Sequence, residues 1–219
     1  MQSLWLGRIP FEAALDHQSR VLTRLLQGGE GAILGFESEP VITLGLRSTR
    51  EDLLFPPGSI RARGYATLQL DRGGQATLHN PGQLVIFPVM PIGPHGVKAW
   101  IERLAETTRR SAGHFDKNIE WNPACPGLYS TGGKVASIGV RVRQGLSTHG
   151  VSVNVTNDLS AFGLIRACGV QGASVDQLGE PVTPEALFAV WLDKFHQGDI
   201  DNPAVFAEFK DRLDTDVRS

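Results

Sequence analysis

Lys134 follows two glycines in the stretch GGKVASIG, and Cys168 stands before a glycine in ACGV. Lys134 could hold a phosphate, cap a strand or move a proton, and the thiol is a potential nucleophile; neither residue decides its role alone. With its two glycines, Lys134 first suggests a phosphate-binding loop. Such a loop needs glycines that free backbone N–H groups, a lysine at a fixed offset, and a Ser or Thr where a helix starts. Counting from Gly127, the second glycine falls at Gly132, Gly133 follows, and Lys134 comes one place late. Val135 replaces the hydroxyl, and the pattern that follows is that of a strand. The nucleotide reading fails on these points. The plain alternatives are a solvated lysine where a strand begins and a buried structural cysteine.

Two further stretches carry suitable residues. In DRGGQATLHNPGQLVIFP, Arg72 precedes Gly73 and Gly74, and His79 precedes Pro81, Gly82 and Gln83. Paired glycines let a backbone approach a ligand closely and turn N–H groups outward, although a hairpin turn would look the same. In STHGVSVNV, His149 and Gly150 interrupt a strand pattern, which marks a bulge or the close approach of a ligand or another backbone. The six histidines and two cysteines show no HExxH or CxxC spacing, so no metal centre is expected.

Taken in order, ESEPVITLG, RGGQATLHNPGQLVIFP, KVASIGVRV with THGVSVNV, and ACGV resemble the octanoyltransferases of lipoate biosynthesis (LipB-type lipoyl(octanoyl) transferases). The resemblance covers most of the chain. It implies the fold shared by the catalytic domains of biotin protein ligases and lipoate–protein ligases. It also implies a reaction in which an octanoyl group moves from octanoyl-acyl carrier protein to an enzyme cysteine, and then to a lysine ε-amine. The acceptor would be the lipoyl domain of a 2-oxoacid dehydrogenase E2 subunit or the glycine cleavage H protein, and no cofactor is implied. By the same resemblance Cys168 is the thioester nucleophile and Lys134 its partner. Arg72, Gly73, Gly74, Gln75, Ala76, Thr77, Leu78 and His79 would line the acyl site, as would Ser137, Ile138, Gly139, Gly150, Val151 and Ser152. Gly139 and Gly150 would leave room for the chain, and Arg72, Arg141 and Arg143 would offer a basic rim to acidic partners. Asn80 and Ala167 depart from the usual glycine and proline of the family. Two alternatives stay open: an ATP-dependent lipoate or biotin ligase of the same fold, which needs no cysteine nucleophile, and an idle relative that only binds acyl carrier protein or a lipoyl domain.

These residues need elements to hold them. PFEAALDHQSRVLTRLLQGG predicts a helix with an apolar face of Phe11, Ala14, Leu15, Leu22, Leu25 and Leu26. GAILGFES, PVITLG, YATLQLDRGG and QLVIFPV predict strands, and VKAWIERLAETTRRSAGHF a central helix. KVASIGVRVRQG and STHGVSVNVT both alternate around a glycine-containing turn, which predicts a hairpin. TPEALFAVWLDKFHQG opens on a Thr183 cap with Pro184 behind it, and NPAVFAEFKDRL repeats the pattern. Without a regular βαβ alternation, the expected architecture is α+β over residues 1–219, one domain with a mainly antiparallel or mixed sheet flanked by helices. A 219-residue chain with 41% apolar and 20% charged residues and a net charge of −2 is ordinary for a soluble protein. No basic stripe points to nucleic acid, and no apolar run approaches membrane-span length. With no export signal read and no disulfide framework among two cysteines, a cytoplasmic location is expected.

Overall fold

The structure is a computed structural model that describes residues 1–166 and 172–200. Two of the expected segments, ACGV around Cys168 and NPAVFAEFKDRL, lie wholly or largely outside the described residues. The elements run β1 (Gln2–Ile9), α1 (Phe11–Leu26), β2 (Ala32–Ser38), β3 (Val41–Leu44), α2 (Pro57–Ala62), β4 (Ala66–Gln69) and β5 (Ala76–His79). They continue with β6 (Gln83–Pro91), α3 (Gly96–Gly113), β7 (Glu120–Asn122), β8 (Gly127–Tyr129), β9 (Lys134–Arg143), β10 (Leu146–Asn154) and α4 (Pro184–Ile200). Short 3-10 turns occupy Arg50–Asp52 and Leu159–Leu164.

Seven strands form one sheet in the order β1-β2-β6-β10-β9-β8-β7, and a smaller sheet has the order β4-β3-β5. Within the large sheet only β1 and β2 run parallel. The α+β architecture with a mainly antiparallel sheet is therefore as expected from the sequence.

β6 explains the layering. Its residues from Gln83 to Met90 are all buried, and they alternate between two cores. Leu84, Ile86 and Met90 join Trp100, Leu104, Trp191 and Phe195 under α3 and α4. Val85, Phe87 and Val89 join Phe11, Ala14 and Val21 under α1. Period-2 alternation in a strand covered on both sides produces this split. The α3–α4 side is also tied by hydrogen bonds from Trp191 Nε1 to Thr108 Oγ1 (3.0 Å) and from Trp100 Nε1 to Ser147 Oγ (2.9 Å).

The predicted hairpin forms between β9 and β10. Gln144 and Gly145 both have positive φ (51° and 74°), the two-residue turn whose twist matches that of its strands. Thr183 caps α4 as expected, accepting from Ala186 N at 3.2 Å. Two details differ from the sequence reading. Leu26 lies outside the buried face of α1, whereas Gln18 lies within it. β1 was not anticipated: as an edge strand with mostly exposed or half-buried residues, it lacks the apolar alternation that marks a covered strand.

Candidate active site

β5, β9, β10 and the turn before β5 line an open cavity of about 430 Å³. Every residue that the sequence reading placed around the acyl group lines it except Leu78, whose side chain is buried in a separate core with Ile42, Ile60 and Phe162. Lys134 lines it too, whereas Cys168 lies outside the described residues.

Lys134 is the first residue of β9 and is 6% exposed. Its Nζ donates to Pro126 O at 2.9 Å and lies 5.4 Å from the centre of the Tyr129 ring. Gly127 makes space for the stem, because a Cβ there would stand 2.1 Å from Lys134 Cε. The backbone is fixed equally firmly: Lys134 N donates to Ser174 O, and Lys134 O accepts from Asp176 N, both at 3.0 Å. The described residues just after the cysteine segment are thus bonded directly to the lysine. On the near side of that segment, Arg166 N donates to Asp52 O at 2.9 Å. Cys125 also lines the cavity, and the Tyr129 hydroxyl donates to its sulfur at 3.0 Å.

The turn carrying Arg72 is docked on β9 by a hydrogen bond from Gly73 N to Val140 O (3.0 Å). Arg72 is buried rather than on the rim. It donates to Thr43 O (2.7 Å), Thr43 Oγ1 (2.8 Å) and Gly73 O (3.0 Å), and among the described residues no carboxylate pairs with it. Burial lowers its pKa to about 10, so the guanidinium stays charged near neutrality. Arg141 is committed to an ion pair with Asp71, which leaves only Arg143 of the expected basic rim exposed and unspent among the described residues.

A chain of polar contacts leads from Arg72 toward Lys134. Thr43 Oγ1 lies 3.3 Å from His79 Nε2, and His79 Nδ1 lies 2.7 Å from Gln83 Oε1. Gln83 Nε2 donates to Asn154 Oδ1 (2.9 Å), and Asn154 Nδ2 reaches Lys134 O (3.4 Å). Gln83 Oε1 can only accept, so His79 Nδ1 carries the proton and Nε2 accepts from the threonine hydroxyl. His79 also stacks on Phe11 at 4.8 Å. Burial depresses its pKa to about 3, with Arg72 and His149 adding to the effect, so the ring is neutral at working pH. Both nitrogens are engaged by protein groups, which tie β5 to β3 and β6.

His149 was not among the sequence-derived lining residues, yet it lines the cavity and is 3% exposed. In β10, Val151 and Val153 face the α3–α4 core, as does Ser147 through Trp100, and alternation would send His149 the same way. Its φ is +56°, and the ring instead meets Phe87 of the α1 side edge-on at 5.5 Å. Its N–H donates to Gln18 Oε1 of α1 at 2.6 Å. A left-handed non-glycine residue in a strand costs on the order of 1–3 kcal/mol and concentrates at functional sites. Nε2 contacts Asp71 Oδ1 at 3.0 Å, and Nδ1 is buried with no partner among the described residues. Burial pushes the His149 pKa down against the opposing pull of Asp71. The neutral ring therefore donates from Nε2 to the carboxylate and leaves a lone pair on Nδ1.

Two glycines of the cavity wall also stand close to other protein segments. A Cβ at Gly150 would stand 2.2 Å from Ile86 O and 2.6 Å from Pro88 Cδ, and one at Gly139 3.1 Å from Gly73 O. Both glycines line the cavity and also allow protein segments to approach each other.

With this geometry in hand, comparison with known proteins is informative. Residues 10–196 match the lipoyl protein ligase A/B catalytic domain. The chain is 34% identical over 202 residues to an octanoyltransferase of Maridesulfovibrio salexigens, covering 89% of this chain and 94% of that one. It is 36% identical over 180 residues to an octanoyltransferase of Chloroflexus aurantiacus, covering 80% and 81%. The chain belongs to the octanoyltransferase family. Its fold is also that of a lipoate-protein ligase A solved with ATP (TM-score 0.76, 13% identity, covering 90% of this chain and 84% of that one). A putative lipoate protein ligase of T. acidophilum with bound lipoic acid is similar (TM-score 0.74, 13% identity, 90% and 84%). These two likenesses bear on the fold alone.

Phe11, Phe87 and Val85 of the cavity wall were not anticipated, because an aromatic or valine facing a slot follows the same pattern as one facing a core. Asp71 and Cys125 were missed as well. The one available signal for Asp71 was its place beside the Arg72 motif.

Proposed function

We propose that this octanoyltransferase works through a thioester on Cys168 with Lys134 as its partner. The observation that carries the reading is a lysine buried in a cavity of ligand size, on a chain about a third identical to octanoyltransferases over most of both lengths. The Cys168 thiolate attacks the carbonyl of octanoyl-acyl carrier protein, a C–S bond to the enzyme forms, and the carrier thiol leaves with a proton. The ε-amine of the acceptor lysine then attacks the enzyme thioester, an amide forms, and Cys168 departs as thiolate. Lys134 stabilises the thiolate by charge, and in its neutral form it takes the proton of the incoming amine. The acceptor is a lipoyl-accepting domain, of a 2-oxoacid dehydrogenase E2 subunit or of the H protein.

Thioester exchange is nearly balanced and amide formation from a thioester runs downhill, so transfer requires no ATP. Incubation with octanoyl-acyl carrier protein should add one octanoyl group, removable by hydroxylamine, to a peptide containing Cys168. Cys168→Ser should abolish this mass shift and Cys125→Ser should preserve it. Because Cys125 lines the cavity beside Tyr129, the second variant is an essential control. Labelling that follows Cys125, or transfer that needs free octanoate and ATP, would overturn the proposed route.

A further inference from the structure

A cluster of unspent positive charge adjoins the cavity. Residues 45–65, between β3 and β4, carry Arg47, Arg50, Arg61 and Arg63, all of them exposed. Asp52 of the same segment is buried and accepts from Thr49 N at 3.0 Å, which leaves Glu51 as its only exposed acid. Glu51 lies in the field of both Arg166 and Arg50. Among the described residues, none of the four arginines stands within ion-pair distance of a carboxylate. By contrast Arg8, Arg109 and Arg141 are each paired. Apolar surface accompanies the charge: Leu46 is 66% exposed, and Phe55 is exposed as well. The Arg63 guanidinium lies 4.6 Å over the Phe55 ring and donates to Ser59 O at 2.9 Å. A cation held over an exposed ring offers charge and apolar contact together, a combination that binding surfaces favour.

This surface is joined to the site at two places. Arg47 N donates to Gly74 O (3.1 Å), and Arg47 itself lines the cavity. Leu54 N donates to Leu164 O (3.0 Å) and Arg166 N to Asp52 O (2.9 Å), so the segment also borders the chain that leads toward Cys168. The cavity wall agrees in sign: it includes Arg47, Arg72 and Lys134 and no aspartate or glutamate.

Reach separates the two protein substrates. The Gly73–Gly74 turn beside Arg47 is bonded to Val140, six residues along β9 from Lys134, or about 20 Å between backbone positions. An acceptor lysine extends only about 6 Å from its own backbone, so its domain has to press against the rim next to Lys134. A carrier thioester hangs on a phosphopantetheine arm of about 16 Å from sulfur to phosphorus, so the body of the carrier can stand off on neighbouring surface. We infer that the surface formed by Arg47, Arg50, Phe55 and Arg63 is where the acidic acyl carrier protein docks to deliver its octanoyl group. The inference rests on the transfer reading above and names where its donor lands.

Binding to the intact protein tests this apart from turnover. An acyl carrier protein that holds octanoyl through an amide, and so cannot transfer it, is titrated calorimetrically, as is an isolated lipoyl domain. Arg50→Glu combined with Arg63→Glu should weaken carrier binding by about tenfold or more and leave binding of the lipoyl domain unchanged. Added salt should weaken the wild-type complex with the carrier and narrow the difference between the two forms. Octanoyl-phosphopantetheine, the arm without its protein, should bind both forms equally. If the double variant does not fold, Arg50→Glu alone should weaken carrier binding by about threefold. Carrier binding that these variants leave unchanged, or an equal loss for the lipoyl domain, would overturn the docking surface. An equal loss for the free arm would assign the arginines to its phosphate and overturn it too. Failure of the wild-type protein to transfer octanoyl from the carrier, with the binding losses as expected, would instead count against the proposed reaction.

Discussion

Lys134 is held by contacts that separate variants can break. Its ammonium faces Pro126 O and the Tyr129 ring, and its stem fits only because Gly127 lacks a side chain. Gly127→Ala should therefore displace the amine without removing it. We expect transfer to fall at least tenfold, with about 1–3 kcal/mol lost in urea unfolding from overpacking. An unchanged transfer rate would mean that the amine position does not matter. Replacing the lysine itself separates charge from proton transfer. Arginine keeps a cation but cannot take a proton, so Lys134→Arg and Lys134→Ala should both lose about 10²-fold or more in transfer. They should differ in the reactivity of Cys168 toward iodoacetamide as pH rises, with arginine keeping the thiol acidic and alanine not. That titration belongs in a Cys125→Ser background, since a second thiol lines the same cavity. Near-normal transfer by the arginine variant would reduce Lys134 to a point charge.

At the scale of elements, the β9–β10 hairpin and the turn docked on it define the slot, and two glycines hold them at different distances. Gly150 sits where a Cβ would meet the backbone of β6 at 2.2 Å, whereas one at Gly139 would stand 3.1 Å from Gly73 O of the turn docked on β9. Gly150→Ala should thus destabilise the protein by about 3 kcal/mol, by forcing β10 from β6. Gly139→Ala should leave unfolding nearly unchanged and raise the KM for the acyl donor by moving the turn. Equal stability losses would show that the two contacts are equivalent. The hairpin itself was legible in the sequence because period-2 alternation and a turn glycine are strong local signals. The reversal at His149 was not, because alternation predicts the opposite face and a left-handed non-glycine residue leaves no pattern beyond the neighbouring Gly150. Gln18 shows the same limit. A polar residue on an apolar helical face reads as an interruption until its partner, His149 N–H, is placed more than a hundred residues away. The order of motifs, rather than any one of them, revealed the family. Lys134, His79 and the Arg72 turn were found that way, while β1 and the aromatic walls of the slot were not.

For the whole molecule, the buried polar chain between the two sheets makes stability depend on pH. His79 links β5 to β3 through Thr43 and to β6 through Gln83, so the small sheet is joined to the large one partly through a neutral imidazole. Its folded pKa of about 3 lies far below the ordinary 6.5, because the ring is buried and Arg72 and His149 are close. His149 is shifted in the same direction by burial. The unfolded chain therefore binds protons first as pH falls. The stability that depends on neutral His79 is fully present above about pH 6.5 and is lost progressively toward pH 3. One such histidine costs about 1.4 kcal/mol for each pH unit below its unfolded value, or about 2 kcal/mol at pH 5. Urea unfolding followed from pH 7.5 to 5 should show at least this loss. His79→Asn keeps a donor toward Gln83 but does not titrate. It should be less stable than wild type at neutral pH and lose stability less steeply on acidification. A variant whose slope matched that of wild type would place the acid sensitivity elsewhere, and would show that protonation of His79 does not separate the two sheets.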